Sequence, residues 1–479
     1  MVGRKKESQE LLEIYESGQA EFIAIYGRRR VGKTYLVDKV FKDKFSFRHA
    51  GLSPMEVEGE ETKGPLKAQL SAFYKTLKKY GLKDENYPGS WMDAFFLLEG
   101  LLEEKDDGER QLVFLDELPW LDTPKSGFMT AFEYFWNNWG CHRDNFMLIV
   151  CGSANSWMLN KLVNNHGGLY GRITHGIKLS PFTLGECEEL FKQKRVYLSR
   201  YDITQSYMIF GGIPYYLGMF KRGLSLAQNV DSLLFSNTAV LKDEFKRLFS
   251  SIFDNPERAE SIIRVLNTRS AGFTIKDISD KTGIGEGGAL SALLNSLVAS
   301  DFVIRYVPFG FSKRETHYKL VDPFCLFYLR FVENMDSLSN DFWQQNLVSQ
   351  SVVVWRGIAF ENVCFLHIRQ IKKALGISGV ITTQSAWSKR KDDECGTQID
   401  LLLERRDNVV NMCEIKFYSD DFTVDGAYYR TILRRQALLE THLKRKNVIH
   451  NTLITTYGLV YNEYSGVFSS VITLDDLFE

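Results

Sequence analysis

The chain has 479 residues, 44% of them hydrophobic and 25% charged, with a net charge of −1. A chain of this length should hold two to four domains of roughly 100–200 residues. Near-neutrality excludes a global pull toward nucleic acid or membrane, so any basic surface must be local. The seven cysteines (Cys141, Cys151, Cys187, Cys325, Cys364, Cys395 and Cys413) show no C-x-x-C spacing, which argues against a disulfide frame or a zinc ribbon. The opening MVGRKKESQELLEIY lacks the apolar core of a signal peptide. No apolar run reaches the roughly 18 residues of a membrane span. The expectation is a cytoplasmic protein with no membrane partner.

Lys5–Glu16 reads as a short amphipathic helix, with Leu11, Leu12 and Tyr15 on one side. The apolar run Phe22–Tyr26 then leads into Gly27-Arg28-Arg29-Arg30-Val31-Gly32-Lys33-Thr34, and helical spacing resumes to Asp38. This is the phosphate-loop pattern G-x-x-x-x-G-K-[ST] in its strand–loop–helix setting. Gly27 and Gly32 let backbone N–H groups turn toward phosphates, where a β-carbon would intrude. Lys33 is expected on the β- and γ-phosphates of ATP, and Thr34 on Mg²⁺. Arg28, Arg29, Arg30 and Val31 belong to the loop without separate roles. The following helix points its positive end at the same anion.

Phe45–Ala50 reads as a second strand, followed by helices near Pro65–Tyr80 and Ser90–Glu104. Gln111–Asp122 (QLVFLDELPWLD) has the form of a buried parallel strand ending in two carboxylates. Such an end lies beside the ligand in an open α/β sheet. Asp116 is the expected Mg²⁺ partner of Thr34, and Glu117 the candidate for polarising the attacking water. Phe146–Ser156 (FMLIVCGSANS) is a further strand. Its Ser153 or Asn155 either approaches the γ-phosphate or serves only as a turn former. Arg172, ahead of the strand Gly176–Leu179, either completes a composite site as an arginine finger or is an ordinary surface arginine.

The order GRRRVGKT, FLDE, CGS, GR and LSPFTLGE resembles the predicted archaeal and bacterial ATPases of the AAA+/STAND group, over roughly residues 1–250. The resemblance implies an additional-strand P-loop core with a helical lid. Gly212-Ile213-Pro214 looks like the G-x-P element that such lids place near the base; by composition it is an ordinary helix break. No second arginine can be assigned as a sensor.

Asn255–Pro323 reads as three helices (Pro256–Leu266, Ile275–Lys281, Ala289–Ala299) and a hairpin (Phe302–Val307, His317–Leu320), a winged-helix pattern. Gly283–Ser300 contains no Lys or Arg and only Asn295 as an amide. A helix that reads DNA bases needs such side chains. Arg305, Lys313, Arg314 and Lys319 put the basic charge on the wing instead, which favours an interdomain or partner-binding role.

From Val354 onward the order is helix, strands, helix, strands. The helix Gly357–Leu375 carries Ile358, Phe365 and Ile368 on one face, and Glu361 falls on the same face. A carboxylate there needs a partner or a metal. Thr397–Glu404 and Val409–Phe417 flank the turn Arg406-Asp407-Asn408. A hairpin centred on Asp407 would set Asp400 opposite Glu414, with Cβ atoms about 4.5–5.5 Å apart. Lys416 would share their face. Such a pair suits a hard cation, Mg²⁺ or Mn²⁺, and Lys416 could steady phosphate charge. A solvated cross-strand cluster would look the same in sequence.

Asp400 with Glu414-Ile415-Lys416, and Glu361 as helical acid, resemble the PD-(D/E)xK nuclease core, with Ile399 where that family has proline. The following helix, near Asp425–Lys446, brings Arg430, Arg434, Arg435 and Gln436 for phosphate contacts. The whole order resembles bacterial ATP-binding proteins fused to a C-terminal nuclease-like domain.

The expected fold class is α/β. Residues 1–180 would form a P-loop NTPase parallel sheet and 181–254 a helical lid. Residues 255–325 would form a winged helix and 326–479 a restriction-endonuclease-like domain. The leading expectation is an ATPase whose nucleotide state controls a metal-dependent nuclease acting on nucleic acid, with DNA the expected partner and homo-oligomerisation left open. The rivals are a STAND-type switch that binds a partner or nucleic acid without cleavage, and a P-loop kinase. Glu117 and the lack of a substrate-phosphate lid disfavour the kinase.

Overall fold

A computed structural model of the protein describes every residue except 1, 54–55, 57–63, 154–156, 164–167, 170, 254, 334–339 and 390–396. Two compact units emerge: Met1–Ser180 with Ser250–Asp254, and Pro181–Phe249 with Asn255–Glu479.

In the first unit, β1 (Glu21–Gly27), β2 (Phe45–Ala50), β3 (Gln111–Asp116), β4 (Phe146–Gly152) and β5 (His175–Leu179) form a parallel sheet in the order β2-β3-β4-β1-β5. β4 stands between the loop strand and the strand that ends in Asp116, as the additional strand implied by the family resemblance. Every residue of β3 and β4 is buried, which is why both read as unbroken apolar runs. Phe22, Trp91, Phe95, Phe128, Phe132 and Trp136 share one core. Their rings meet in tilted or edge-on pairs, such as Phe22 and Phe132 at 5.7 Å and 78°, and in the stacked pair Phe128 and Phe132. Aromatic contacts of this kind add to the area they bury. Because the strands are parallel, Gly27, Asp116 and Gly152 all end on one edge of the sheet.

The second unit begins with helices Leu184–Lys194 and Arg200–Phe210. Thr183 and Glu186 cap the first reciprocally, and Ser199 caps the second. Helices Pro256–Asn267, Ile275–Thr282 and Gly288–Ala299 follow. With them goes a small antiparallel sheet of β6 (Phe273–Thr274), β7 (Val303–Tyr306) and β8 (His317–Leu320), in the order β6-β8-β7.

The last sheet is built from β9 (Thr382–Lys389), β10 (Thr397–Arg405), β11 (Val409–Lys416), β12 (Val448–Thr455) and β13 (Ser470–Ile472), in the order β13-β12-β11-β10-β9. β9, β10 and β11 form an antiparallel meander; β12 and β13 continue parallel to β11. Leu401 lies opposite Cys413 and Glu404 opposite Val410, so the hairpin centres on Asp407. Asn408 takes the left-handed turn conformation, φ 67°. The next step of the ladder sets Asp400 across from Glu414. On the other side of β10, the register with β9 shifts by one residue between Ile399 and Leu402. This bulge frees Asp400 from strict alternation.

Three features differ from the sequence reading. The span read as one helix, Gly357–Leu375, is two: Gln350–Leu366 and Ile368–Ala374, bent by 77°. His367 occupies the break. Its buried ring accepts the Leu184 N–H at Nε2 (3.1 Å) while Nδ1 meets the Val363 carbonyl (2.8 Å). Ile358 is exposed, and the buried face carries Val352, Trp355, Ala359, Phe360 and Val363. The basic helix is Gly426–Glu440, stopping short of Lys446. Among the described residues, no single helix is long and apolar enough to cross a membrane.

Burial pushes the His367 imidazole down to about 4. The unfolded chain therefore takes up this proton from about pH 6.5 downward while the folded chain refuses it. Stability should fall across the window from about pH 6.5 to about 4, by about 3 kcal/mol in full. His367→Gln, which can still accept the Leu184 N–H, should lose this component. Urea melts at pH 7 and pH 4.5 should show a drop about 2 kcal/mol larger for wild type than for the variant. Equal drops would assign the acid sensitivity to other groups.

Candidate functional site

The phosphate loop leaves β1 at Gly27, where a β-carbon would sit 2.2 Å from the Leu179 carbonyl oxygen, so only glycine fits. Arg30 and Gly32 adopt positive φ (70° and 93°), which curls the backbone before Lys33 opens the Lys33–Phe41 helix. The Lys33 ammonium is buried and donates to the carbonyls of Gly27 (3.0 Å) and Arg28 (3.3 Å). Arg4 reaches the loop from the N-terminus, donating to the carbonyls of Val31 (3.3 Å) and Ser180 (2.6 Å). Arg4 ties the loop to the chain just beyond β5. Its position, far from the motif in sequence, gave no signal.

The Thr34 hydroxyl donates to Asp116 Oδ2 at 2.8 Å. Burial, together with the neighbouring Glu117 charge, raises the Asp116 pKa, against the pull of Thr34 and Lys33. Glu117 stands in the left-handed region (φ 44°) as β3 turns into the Leu118–Leu121 helix. Its Oε2 accepts from the Ser153 N–H (3.1 Å) and hydroxyl (2.9 Å). Lys33, Thr34, Asp116, Glu117 and Ser153 are thus linked at the carboxyl ends of β1, β3 and β4. Asn155 lies outside the described residues.

Arg172 is exposed in the turn before β5. That turn is at the opposite edge of the sheet from the loop, about 20 Å away along strands rising about 3.3 Å per residue. Arg172 therefore does not reach its own chain's phosphate site. Pro214 opens the short helix Pro214–Leu217 in the second unit, where the Gly212 carbonyl accepts the Phe182 N–H at 2.6 Å.

In the second unit, Glu414 is buried and its carboxylate is fully engaged. Lys416 meets Oε1 at 2.8 Å, Arg435 meets Oε2 at 2.5 Å, and the Tyr428 hydroxyl donates to Oε1. Burial would raise its pKa, but the Lys416 and Arg435 charges outweigh burial and hold it below the usual value. Among the described residues, Asp400 accepts only long bonds, from the Ile415 N–H (3.4 Å) and Gln398 Nε2 (3.4 Å). Burial and the Glu414 charge push Asp400 up to about 6. Burial and the Asp400 charge push Glu361 up to about 7.

Glu361 and Asp400 line a cavity of about 670 Å³ with Lys319 of β8; Glu414 and Lys416 do not line it. Glu414 satisfies its charge with Lys416 and Arg435, and among the described residues no group of three or more His, Cys, Asp or Glu could hold a metal ion.

Two basic residues also change place. Lys319, read as a wing cation, is buried, with its ammonium 4.5 Å from the centre of the Phe365 ring. Arg435 turns inward to Glu414, leaving Arg430 and Arg434 exposed on that helix. The tip of the β7–β8 hairpin is docked rather than free. The Phe309 N–H donates to the Ala386 carbonyl (3.2 Å), and its ring meets Trp387 edge-on at 5.9 Å. Tyr428 was missed because an aromatic one turn into a helix reads as core.

Residues 1–220 match the model of a family described as an ATPase domain predominantly from Archaea. The chain is 24% identical over 447 residues to an uncharacterized protein of Methanocaldococcus jannaschii, covering 91% of this chain and 92% of that one. Among solved structures, a Walker-type ATPase of Pyrococcus abyssi is similar at 20% identity and a TM-score of 0.48, over 69% of this chain and 96% of that one. The ORC2 protein of Aeropyrum pernix, solved as ADPNP–ADP complexes, is similar at 14% identity and a TM-score of 0.41, over 75% of this chain and 94% of its own. The family match over residues 1–220, the parallel five-stranded sheet and the Gly27–Thr34 loop together support ATP binding and hydrolysis by this part of the chain.

Proposed function

We propose that the chain binds and hydrolyses ATP at the Gly27–Thr34 loop. The nucleotide state then governs how a C-terminal module of PD-(D/E)xK nuclease-like fold engages nucleic acid, with DNA the expected form. The observation that carries the ATPase reading is the 2.8 Å bond from Thr34 to Asp116. It brings a hydroxyl and a carboxylate together at the mouth of the loop, a donor set that fits Mg²⁺.

Thr34 and Asp116 would hold that ion, which when bound supplies charge neutralisation on the phosphates. Lys33 binds the β- and γ-phosphates, exchanging its two carbonyl contacts for phosphate oxygens. Glu117, steadied by Ser153, orients the attacking water and accepts its proton. Arg172, exposed at the far edge of the sheet, would act on the nucleotide of another copy in a homo-oligomer. Residues 181–254 are proposed as the lid, with Gly212-Ile213-Pro214 near the base. Residues 255–325 are proposed as a winged helix, supported by their three helices and the β6-β8-β7 sheet.

For residues 326–479, the meander β9–β11, the helix Gly426–Glu440 and parallel β12 support the nuclease-like fold. Between cleavage and binding alone, the engagement of Glu414 by Lys416, Arg435 and Tyr428 favours binding alone. This is the STAND-type switch reading, with Arg430 and Arg434 facing phosphate.

ATP turnover should fall by at least about 100-fold in both Lys33→Ala and Glu117→Gln. Glu117→Gln should retain ATP affinity in equilibrium binding, whereas Lys33→Ala should lose it. Turnover that persists in both variants removes these residues from the mechanism. With plasmid, ATP and either Mg²⁺ or Mn²⁺, the protein should retard DNA in gels without nicking it. Nicking that disappears in Asp400→Ala and Lys416→Ala would instead establish the C-terminal module as a nuclease.

A further inference from the structure

We infer that a second cavity in the Pro181–Glu479 part of the chain is a binding site for a small amphipathic organic anion. It measures about 350 Å³, at the small end of the range for small-molecule sites. The cavity lies among the Gln350–Leu366 helix, the end of the Pro256–Asn267 helix and the stretch Pro323–Val332. Leu266, Leu320, Leu326, Trp355 and Ala359 make its walls apolar.

Charge decides what such walls would hold. Among the described residues, two guanidiniums, Arg269 and Arg330, line the cavity, and no carboxylate does. Among the described residues, neither arginine has a carboxylate within salt-bridge distance; Arg269 lies over the Phe273 ring at 5.7 Å. Arg330 belongs to a π-helical stretch, Tyr328–Val332, a widened turn that is often kept where a helix serves a site.

The second observation is Asn362. It lines the same cavity, is only 4% exposed, and its Oδ1 has no hydrogen-bond partner among the described residues. A buried carboxamide without a partner destabilises the fold unless something supplies the missing bond. A ligand with an apolar body, one anionic group and one N–H or O–H donor satisfies all three features. A cation would be repelled by both arginines. A nucleoside triphosphate would need far more positive charge than two side chains provide.

The site is distinct from the carboxylate cavity, although the two share a wall. Arg269 and Ser270 line both, and the adjacent residues Glu361 and Asn362 of one helix face one cavity each. The inference does not depend on the function proposed for Asp400.

The test uses 8-anilinonaphthalene-1-sulfonate as the anionic probe and N-phenyl-1-naphthylamine as its uncharged counterpart, titrated by fluorescence into the full chain. Arg330→Glu and Ile358→Glu alter exposed residues of the lining, so both variants should fold. The sulfonate should bind saturably to wild type, and each variant should weaken it at least tenfold. The uncharged probe should bind both variants within about twofold of wild type. Sulfonate affinity unchanged in both variants overturns the site. Equal weakening of the two probes overturns the assignment to anions.

Discussion

A carboxylate removed from water must find cations or donors, and both chemically distinctive parts of this chain are organised by that requirement. At the carboxyl edge of the parallel sheet, Asp116 and Glu117 are neighbours with different solutions. Asp116 takes the Thr34 hydroxyl, while Glu117 takes both donors of Ser153. Thr34 follows the loop and Ser153 follows β4, so satisfying two charges also fixes three strand ends against one another. The left-handed turn at Glu117 is the local cost of pointing the two carboxylates apart.

The same requirement has a different outcome in the last sheet. Glu414 is supplied on three sides, by its own strand through Lys416 and by the following helix through Tyr428 and Arg435. Asp400, across the hairpin, receives only distant donors and shares its burial with Glu361. Two acids raised toward neutrality beside one fully ionised acid form an unequal set. That inequality follows from the Gly426–Glu440 helix, which covers Glu414 and leaves Asp400 to the cavity.

Much of this was legible in the sequence because it rests on short-range pattern. The phosphate loop, the strands ending at Asp116 and Gly152, and the hairpin centre at Asp407 each follow from local spacing. Lys319 was misplaced because strand alternation says which face a residue takes, not what packs against that face. Arg435 was misplaced for the same reason, a single residue step of about 100° separating the outward Arg434 guanidinium from the inward one. The break at His367 was invisible because its cause, the Leu184 N–H, comes from a distant stretch of chain. Arg4 likewise acts on the loop from a position no motif includes.

The bulge between Ile399 and Leu402 has a consequence for how this chain can vary. A strand held on both sides tolerates substitution far better than a change in length, because side chains alternate strictly. At the bulge, one extra residue is already absorbed against β9 while the pairing with β11 stays in step. Deleting either Asp400 or Leu401 would regularise one ladder and throw the other out of phase. Everything upstream of the deletion would then turn over, exchanging cavity wall for core. Related chains should therefore differ at these two positions in residue type and keep the number of residues between Ile399 and the Asp407 turn.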